Sequence, residues 1–352
     1  MFLPAAQKNR LPPLFFCFFL AAVFFPPRFA FAQNAAGAQT DQKNAGRRET
    51  SRKIFPSLYF TGPADHAPNQ EPAAFYWVAT EDETLEAGSR NASRDISILL
   101  NNDILAFYGH PLSTRMGILG RYSITELDER LSALAEEYGA VNGGRGIRKA
   151  FYIIYGTVWP GGDIGILSEK VLTDYIQYAL DNDLLVFIDH QIGRFDPVES
   201  LKVMLPYLRY PNVHLALDPE WRTTKPMKEI GTVTADEINR AQRVMEDYII
   251  EHELPGERML VIHQFNWRMI QNREQVLSNF ERVRLVHCAD GFGNPTIKRA
   301  SYANNAQATN MPIKGFKLFY NFNIPGAGYD WPILSPKEVY ELNPRPYVIM
   351  YQ

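Results

Sequence analysis

"KAFYIIYGTVWPGGDIGILSEKVLTDYIQYALDNDLLVFID", Lys149 to Asp189, holds a complete strand–helix–strand unit. The apolar run KAFYIIYG reads as a strand. SEKVLTDYIQYALDND reads as a helix opened by Ser168, and LLVFID as a second strand. The same alternation extends both ways. Upstream, ILAFYG is a strand, and TELDERLSALAEEYG sets Leu127, Leu131, Leu134 and Tyr138 at helical spacing. Downstream, the strands VHLALD, RMLVIHQF, VRLVHCAD, GFKLFYN and YVIMYQ are separated by helical segments. Those segments are TADEINRAQRVMEDYIIEH, NREQVLSNF, NPTIKRASYANNA and SPKEVYEL, and DPVESLKVMLPYL precedes the fourth strand. Ser123, Thr125, Ser168, Thr234 and Ser335 stand at or near the positions where helix N-caps belong.

Strands that alternate with helices form parallel sheets covered on both faces. Eight such units predict an α/β chain folded as a (β/α)8 barrel of the TIM type. Its eighth helix is missing, because the chain ends at Gln352. The first strand is not followed by a glycine-rich phosphate fingerprint, which argues against an open dinucleotide-binding sheet.

The barrel is expected over residues 103–352, and three segments precede it. Residues 1–32 read as a secretory signal peptide. Lys8 and Arg10 lead an apolar core too short for a comfortable membrane span, and Ala30 and Ala32 offer a cleavage site before Gln33. This predicts a secreted or periplasmic protein. Cys17 lacks the small preceding residue that a lipidated cysteine needs. Residues 33–53 are polar and aperiodic and read as a disordered linker. Residues 54–102 carry short aromatic runs and are expected as an irregular extension packed on the barrel. With 46% apolar residues the chain can bury a full core. A net charge of -3 without a basic patch argues against nucleic acid as partner. Cys288 is the lone cysteine after the signal and reads as buried packing.

In such barrels chemistry occurs where strands exit into the following loops. The exits read, in order, Tyr108 and His110; Tyr155 and then Trp159; Asp189, His190 and Gln191; Asp218, Glu220 and Trp221; His263, Gln264 and then Trp267; His287 and Asp290; Lys317, Tyr320 and Asn321; Tyr351 and Gln352. Trp331 joins Trp159, Trp221 and Trp267 in the exit loops, and flat aromatic faces suit the apolar faces of sugar rings. Strand four can be oriented. Val213, Leu215 and Leu217 share one face, which should meet helices; His214, Ala216, Asp218 and Glu220 share the other, which should point into the mouth. Neighbouring carboxylates in a desolvated mouth hold one another's protons, so one can serve as an acid beside an ionised partner. The plainer reading is that Asp-Pro opens a loop.

The stretch LALDPEW, with Asp218-x-Glu220 at the end of strand four, resembles the lysozyme-type muramidases and, more distantly, the chitinase-like glycoside hydrolases. That resemblance implies Glu220 as general acid and Asp218 as a helper that orients an N-acetyl group. It departs at strand one, where Tyr108 and His110 stand in place of the muramidase aspartate. The spaced aspartates of chitinase strand four are absent too. The whole chain also resembles a group of secreted bacterial proteins ending in GFKLFY…RP…YQ, which carries no function to transfer.

Three functions follow. The first is a secreted glycoside hydrolase, without a cofactor, acting as a monomer on an envelope or environmental carbohydrate polymer or glycoconjugate. Its catalytic residues would be Glu220 and Asp218, with Asp189 or Asp290 as the second carboxylate. Tyr108, His110, Trp159, His190, Trp221, His263, Gln264, Trp267, His287, Lys317, Tyr320 and Trp331 would bind substrate. The second is a glycan-binding barrel without chemistry. The third is a metal-dependent hydrolase built on His110, His190, His263, His287, Asp189 and Asp290, although strand one lacks a His-x-His pair and strand eight ends without an acid.

Overall fold

The computed structural model describes residues 97–352. The expected signal peptide, the expected linker and residues 54–96 of the expected extension lie outside the described residues. Eight parallel strands form the barrel: β1 (Asn102–Gly109), β2 (Gly146–Val158), β3 (Leu185–Gln191), β4 (Val213–Asp218), β5 (Arg258–Gln264), β6 (Val283–Ala289), β7 (Lys314–Leu318) and β8 (Val348–Tyr351). Each pairs with its sequence neighbour, and β8 returns to β1 through Phe107 opposite Tyr351. Closure leaves none of the eight as a free edge, so it removes the unpaired backbone that an open sheet exposes. Among the described residues no helix is long and apolar enough to cross a membrane.

The period of two divides each strand between two cores. Ile104, Ala106, Ala150, Tyr152, Phe187, Ala216, Val261, Val286 and Met350 fill the barrel interior. Leu105, Phe151, Val186, Leu215, Leu260, Leu285 and Phe316 meet the helices. On β4, Val213, Leu215 and Leu217 lie in this helix-side layer, while Ala216 is interior. Leu99, on the one-turn helix α1 (Ile98–Asn101), packs with the interior cluster.

The covering helices are α2 (Ile124–Gly139), α3 (Glu169–Asp181), α4 (Pro197–Lys202), α5 (Ala235–Glu251), α6 (Pro295–Asn305) and α7 (Pro336–Tyr340). Capping boxes open three of them: Ser123 with Glu126, Thr234 with Glu237 and Ser335 with Glu338. Ser168 caps α3 alone. Thr125 lies in the first turn of α2, next to its cap, and Ser123 is the residue that receives the Glu126 N–H.

The expected helix NREQVLSNF after β5 does not form. Only a 3-10 turn, Arg273–Gln275, is present, and the chain then runs irregularly to Phe280. Side chains take the backbone bonds a helix would have made for itself. Asn239 of α5 donates to the Gln275 carbonyl and accepts from the Leu277 N–H, Gln242 donates to the Leu277 carbonyl, and Asn310 donates to those of Arg273 and Val276. Val276 and Phe280 are buried as anchors at its ends. No helix follows β8 among the described residues.

Candidate active site at the barrel mouth

Interior positions near the C-terminal strand ends bring together Tyr108, Tyr152, Asp189, Asp218, His263, Cys288 and Lys317, joined by Asp290 one residue past β6. A buried hydrogen-bond chain links most of them. Tyr108 donates to Oδ2 of Asp189 at 2.8 Å. His263 pairs through Nδ1 with Oδ2 of Asp290 at 2.9 Å, and through Nε2 with the Tyr152 hydroxyl at 2.8 Å. The same Nε2 stands 3.7 Å from Asp189. Lys317 lies 3.8 Å from Asp290, with its ammonium 3.6 Å from the centre of the Tyr108 ring. Cys288 donates to Oδ1 of Asp290 at 3.2 Å.

The charges do not balance in favour of ionised acids. Burial alone would lower the His263 pKa, but Asp290 and Asp189 override it and raise it to about 9. The ring is therefore an imidazolium at neutral pH. Burial would raise the Asp290 pKa, yet His263 and Lys317 hold it well below the usual carboxylate range. Four carboxyl groups thus face two cations. Burial keeps Asp189 above its ordinary value. Burial, opposed by His263 and reinforced by Asp189, pushes Asp218 up to about 7. Burial and then the Asp218 charge push Glu220 well above the usual range. Glu220 is half-buried as a residue, and the charges of Asp218, Lys317, Asp290 and His263 reach its carboxyl.

Asp218 also has the plainer role. Its Oδ1 accepts the Glu220 N–H at 3.2 Å and caps the 3-10 turn Pro219–Trp221. That turn sets Glu220 over the mouth directly after Asp218, so the loop-opening reading and the paired-carboxylate reading are one arrangement.

The remaining strand-end residues disperse. His190 follows Asp189 and so turns outward; its ring lies against Gly156, where a Cβ would come within 2.6 Å of it, and beside Tyr155. Burial lowers its pKa to about 4, so it is neutral. His287 and Gln264 also face the helices and bond to each other at 2.7 Å, with Lys314 3.2 Å from the other nitrogen of His287. His110 accepts the Leu112 N–H in the turn after β1. Tyr320 stacks on Tyr351 in the helix-side layer. Trp221 is buried, whereas Trp159, Trp267 and Trp331 are exposed.

Of the four strand-end histidines proposed for a metal centre, the mouth thus receives only His263. His263, Cys288 and Asp290 place one ligand atom each within 4.8 Å of one another. A divalent ion there would have to replace both the imidazolium proton and the thiol proton, which burial holds tightly on Cys288. Tyr152 does not stand at a strand end and is not among the strand-exit residues. It lies mid-strand, but it shares the interior face of β2 with Ala150 and Ile154, and the alternation used for β4 would have found it.

No family model matches the chain, and no curated protein matches it. Among solved structures it is similar to an oxaloacetate acetylhydrolase in complex with oxalate, at TM-score 0.39 and 14% identity over 62% of this chain and 72% of that one. It is similar to a chitinase from Ipomoea carnea at TM-score 0.39 and 12% identity, over 70% and 94% of the two chains. A family 18 chitinase from Crocus vernus gives TM-score 0.40 and 9% identity, over 71% and 92%. At such values these likenesses are faint, and the barrel rests on the strand pairing itself.

Proposed function

We propose that this is a secreted glycoside hydrolase whose general acid is Glu220. One observation carries the reading: Asp218 and Glu220, two residues apart, meet a buried mouth where four carboxyl groups share two cations, and burial raises the pKa of both. An acid that stays protonated near neutrality is what leaving-group protonation needs. Glu220 gives its proton to the glycosidic oxygen as the bond to the anomeric carbon breaks. Ionised Asp290, with Asp189 beside it, stabilises the positive charge that develops on the sugar. Water then adds to the anomeric carbon and returns a proton to a carboxylate of the cluster. Lys317 and His263 keep Asp290 ionised throughout.

The substrate class is a carbohydrate polymer or glycoconjugate outside the cytoplasm, reached through export directed by residues 1–32. The test is reducing-end release by the purified protein from peptidoglycan, chitin and soluble glucans. Glu220→Gln is expected to lower kcat by about 10²–10⁴-fold, with the thermal midpoint retained. A Glu220→Gln protein that cleaves at the wild-type rate removes the acid from this position. Wild-type activity should decline on the alkaline side as Glu220 loses its proton.

A further inference from the structure

A cleft of about 500 Å³ opens between the loops that follow β6 and β7, lined chiefly by Phe292, Asn294, Gly326, Gly328, Tyr329 and Trp331. We propose that it is a binding subsite for one neutral pyranose ring of an oligosaccharide, set beside the barrel mouth. The proposal deepens the glycoside hydrolase reading and rests on it.

Its walls are held from beneath. Asp330 is buried and accepts the Gly293 N–H from one loop and the Phe319 N–H from the other, each at 2.9 Å. Lys298 of α6 pairs with Asp330 at 3.1 Å and donates to the carbonyls of Gly291 and Lys317. One buried ion pair therefore locks both loops together and ties them to the strand ends that carry Asp290 and Lys317. Gly328 lets the Phe292 ring lie against its backbone, since a Cβ there would sit 2.2 Å from that ring. The cleft needs no closure to take shape.

Its aromatic faces are not consumed by packing. Trp331 is 71% exposed and Tyr329 42% exposed, whereas Trp221, which does pack, is 7% exposed. An indole and a phenol facing a small-ligand-sized cleft suit the apolar face of a sugar ring. None of the lining residues carries a charge, which selects a neutral ring over an acidic sugar. Two contacts tie the cleft to the mouth. Phe292 lies 6.0 Å from Phe319, ring to ring, and the Lys317 ammonium lies 5.4 Å from Phe319. Phe319 therefore bridges the cleft wall to Lys317, and the cleft opens beside the mouth.

The experiment is calorimetric titration of the full chain carrying Glu220→Gln with chito-, cello- and malto-oligosaccharides of two to six units, with and without Trp331→Ala. At least one series should bind more tightly as it lengthens, and Trp331→Ala should weaken the longest members at least tenfold while leaving the shortest unchanged. Equal affinity with and without Trp331, or no binding by any series, overturns the subsite. The enzyme reading fails separately. If the wild type cleaves nothing yet binding still depends on Trp331, the subsite stands without the hydrolase. If the wild type and Trp331→Ala cleave long and short chains alike, the subsite falls and Glu220 keeps its role.

Discussion

Two fully buried aspartates stand at opposite ends of the same barrel. Asp103, at the N-terminal end of β1, is met by Arg145 at 2.8 Å and by Arg345 through two nitrogens at 3.2 and 2.7 Å. Both its oxygens are engaged. Arg145 in addition caps the carbonyls of Leu99, Leu100 and Asn102. Asp189, at the C-terminal end of β3, receives only the Tyr108 hydroxyl on one oxygen, and its Oδ1 finds no donor among the described residues. At one end two guanidinium groups serve one carboxylate. At the other, two cations are shared among four carboxyl groups. The first arrangement closes a fold; the second holds protons ready to move.

The largest expected effects separate the two ends. Glu220→Gln should cost orders of magnitude in rate and little stability. Asp103→Asn should do the reverse, lowering unfolding free energy by about 3 kcal/mol, because two arginines lose their common acceptor while the mouth is untouched. Urea unfolding together with the turnover of the folded fraction distinguishes them. If Asp103→Asn slows turnover as much as Glu220→Gln does, the ends are not functionally separate.

The next effect comes from the mouth's excess acid. Asp218 is raised to about 7, so between about pH 4 and 7 the folded protein keeps a proton that the unfolded chain has released. Stability falls as pH rises through that window. Asp218→Asn removes the penalty while its side-chain oxygen can still accept the Glu220 N–H. It should unfold at a higher urea midpoint than the wild type at pH 8, and together with it at pH 4. A variant less stable at both values would mean that Asp218 serves the turn and not the titration.

This contrast was partly legible in the sequence. The eight strands and the two faces of β4 were, because alternation and helix caps are local. The strand exits were legible as a set, but not which members face inward. Asp189 and His190 are adjacent in sequence, yet one enters the mouth and the other packs against Gly156, and β2 and β3 slip register between Ile154 and Gly156. The missing helix after β5 was not legible, since Asn239, Gln242 and Asn310 hold that segment from distant positions. The Lys298–Asp330 clasp joins α6 to a loop more than thirty residues away, with no pattern to announce it.

The smallest effect tests a third set of buried charges, which belongs to neither end. Lys314 is buried beside His287 on the helix side, donates to the Ala308 carbonyl at 2.7 Å, and is lowered to about 7 by burial and by Arg273. From about pH 7 to 10 the folded protein therefore lacks a proton that the unfolded chain still binds, and stability gains as pH rises. His263 acts the other way. Raised to about 9, its contribution is complete below about pH 6.5 and is lost as pH climbs through 9. Above neutrality the two buried bases oppose each other. Lys314→Met removes one of them; the orphaned carbonyl adds an offset that does not change with pH. The variant's stability should then fall more steeply than the wild type's between pH 7 and 9, by about 1 kcal/mol per pH unit, in urea midpoints taken at pH 7, 8 and 9. Parallel curves would mean that Lys314 does not titrate in this range, and the alkaline behaviour of the protein would then belong to the barrel mouth.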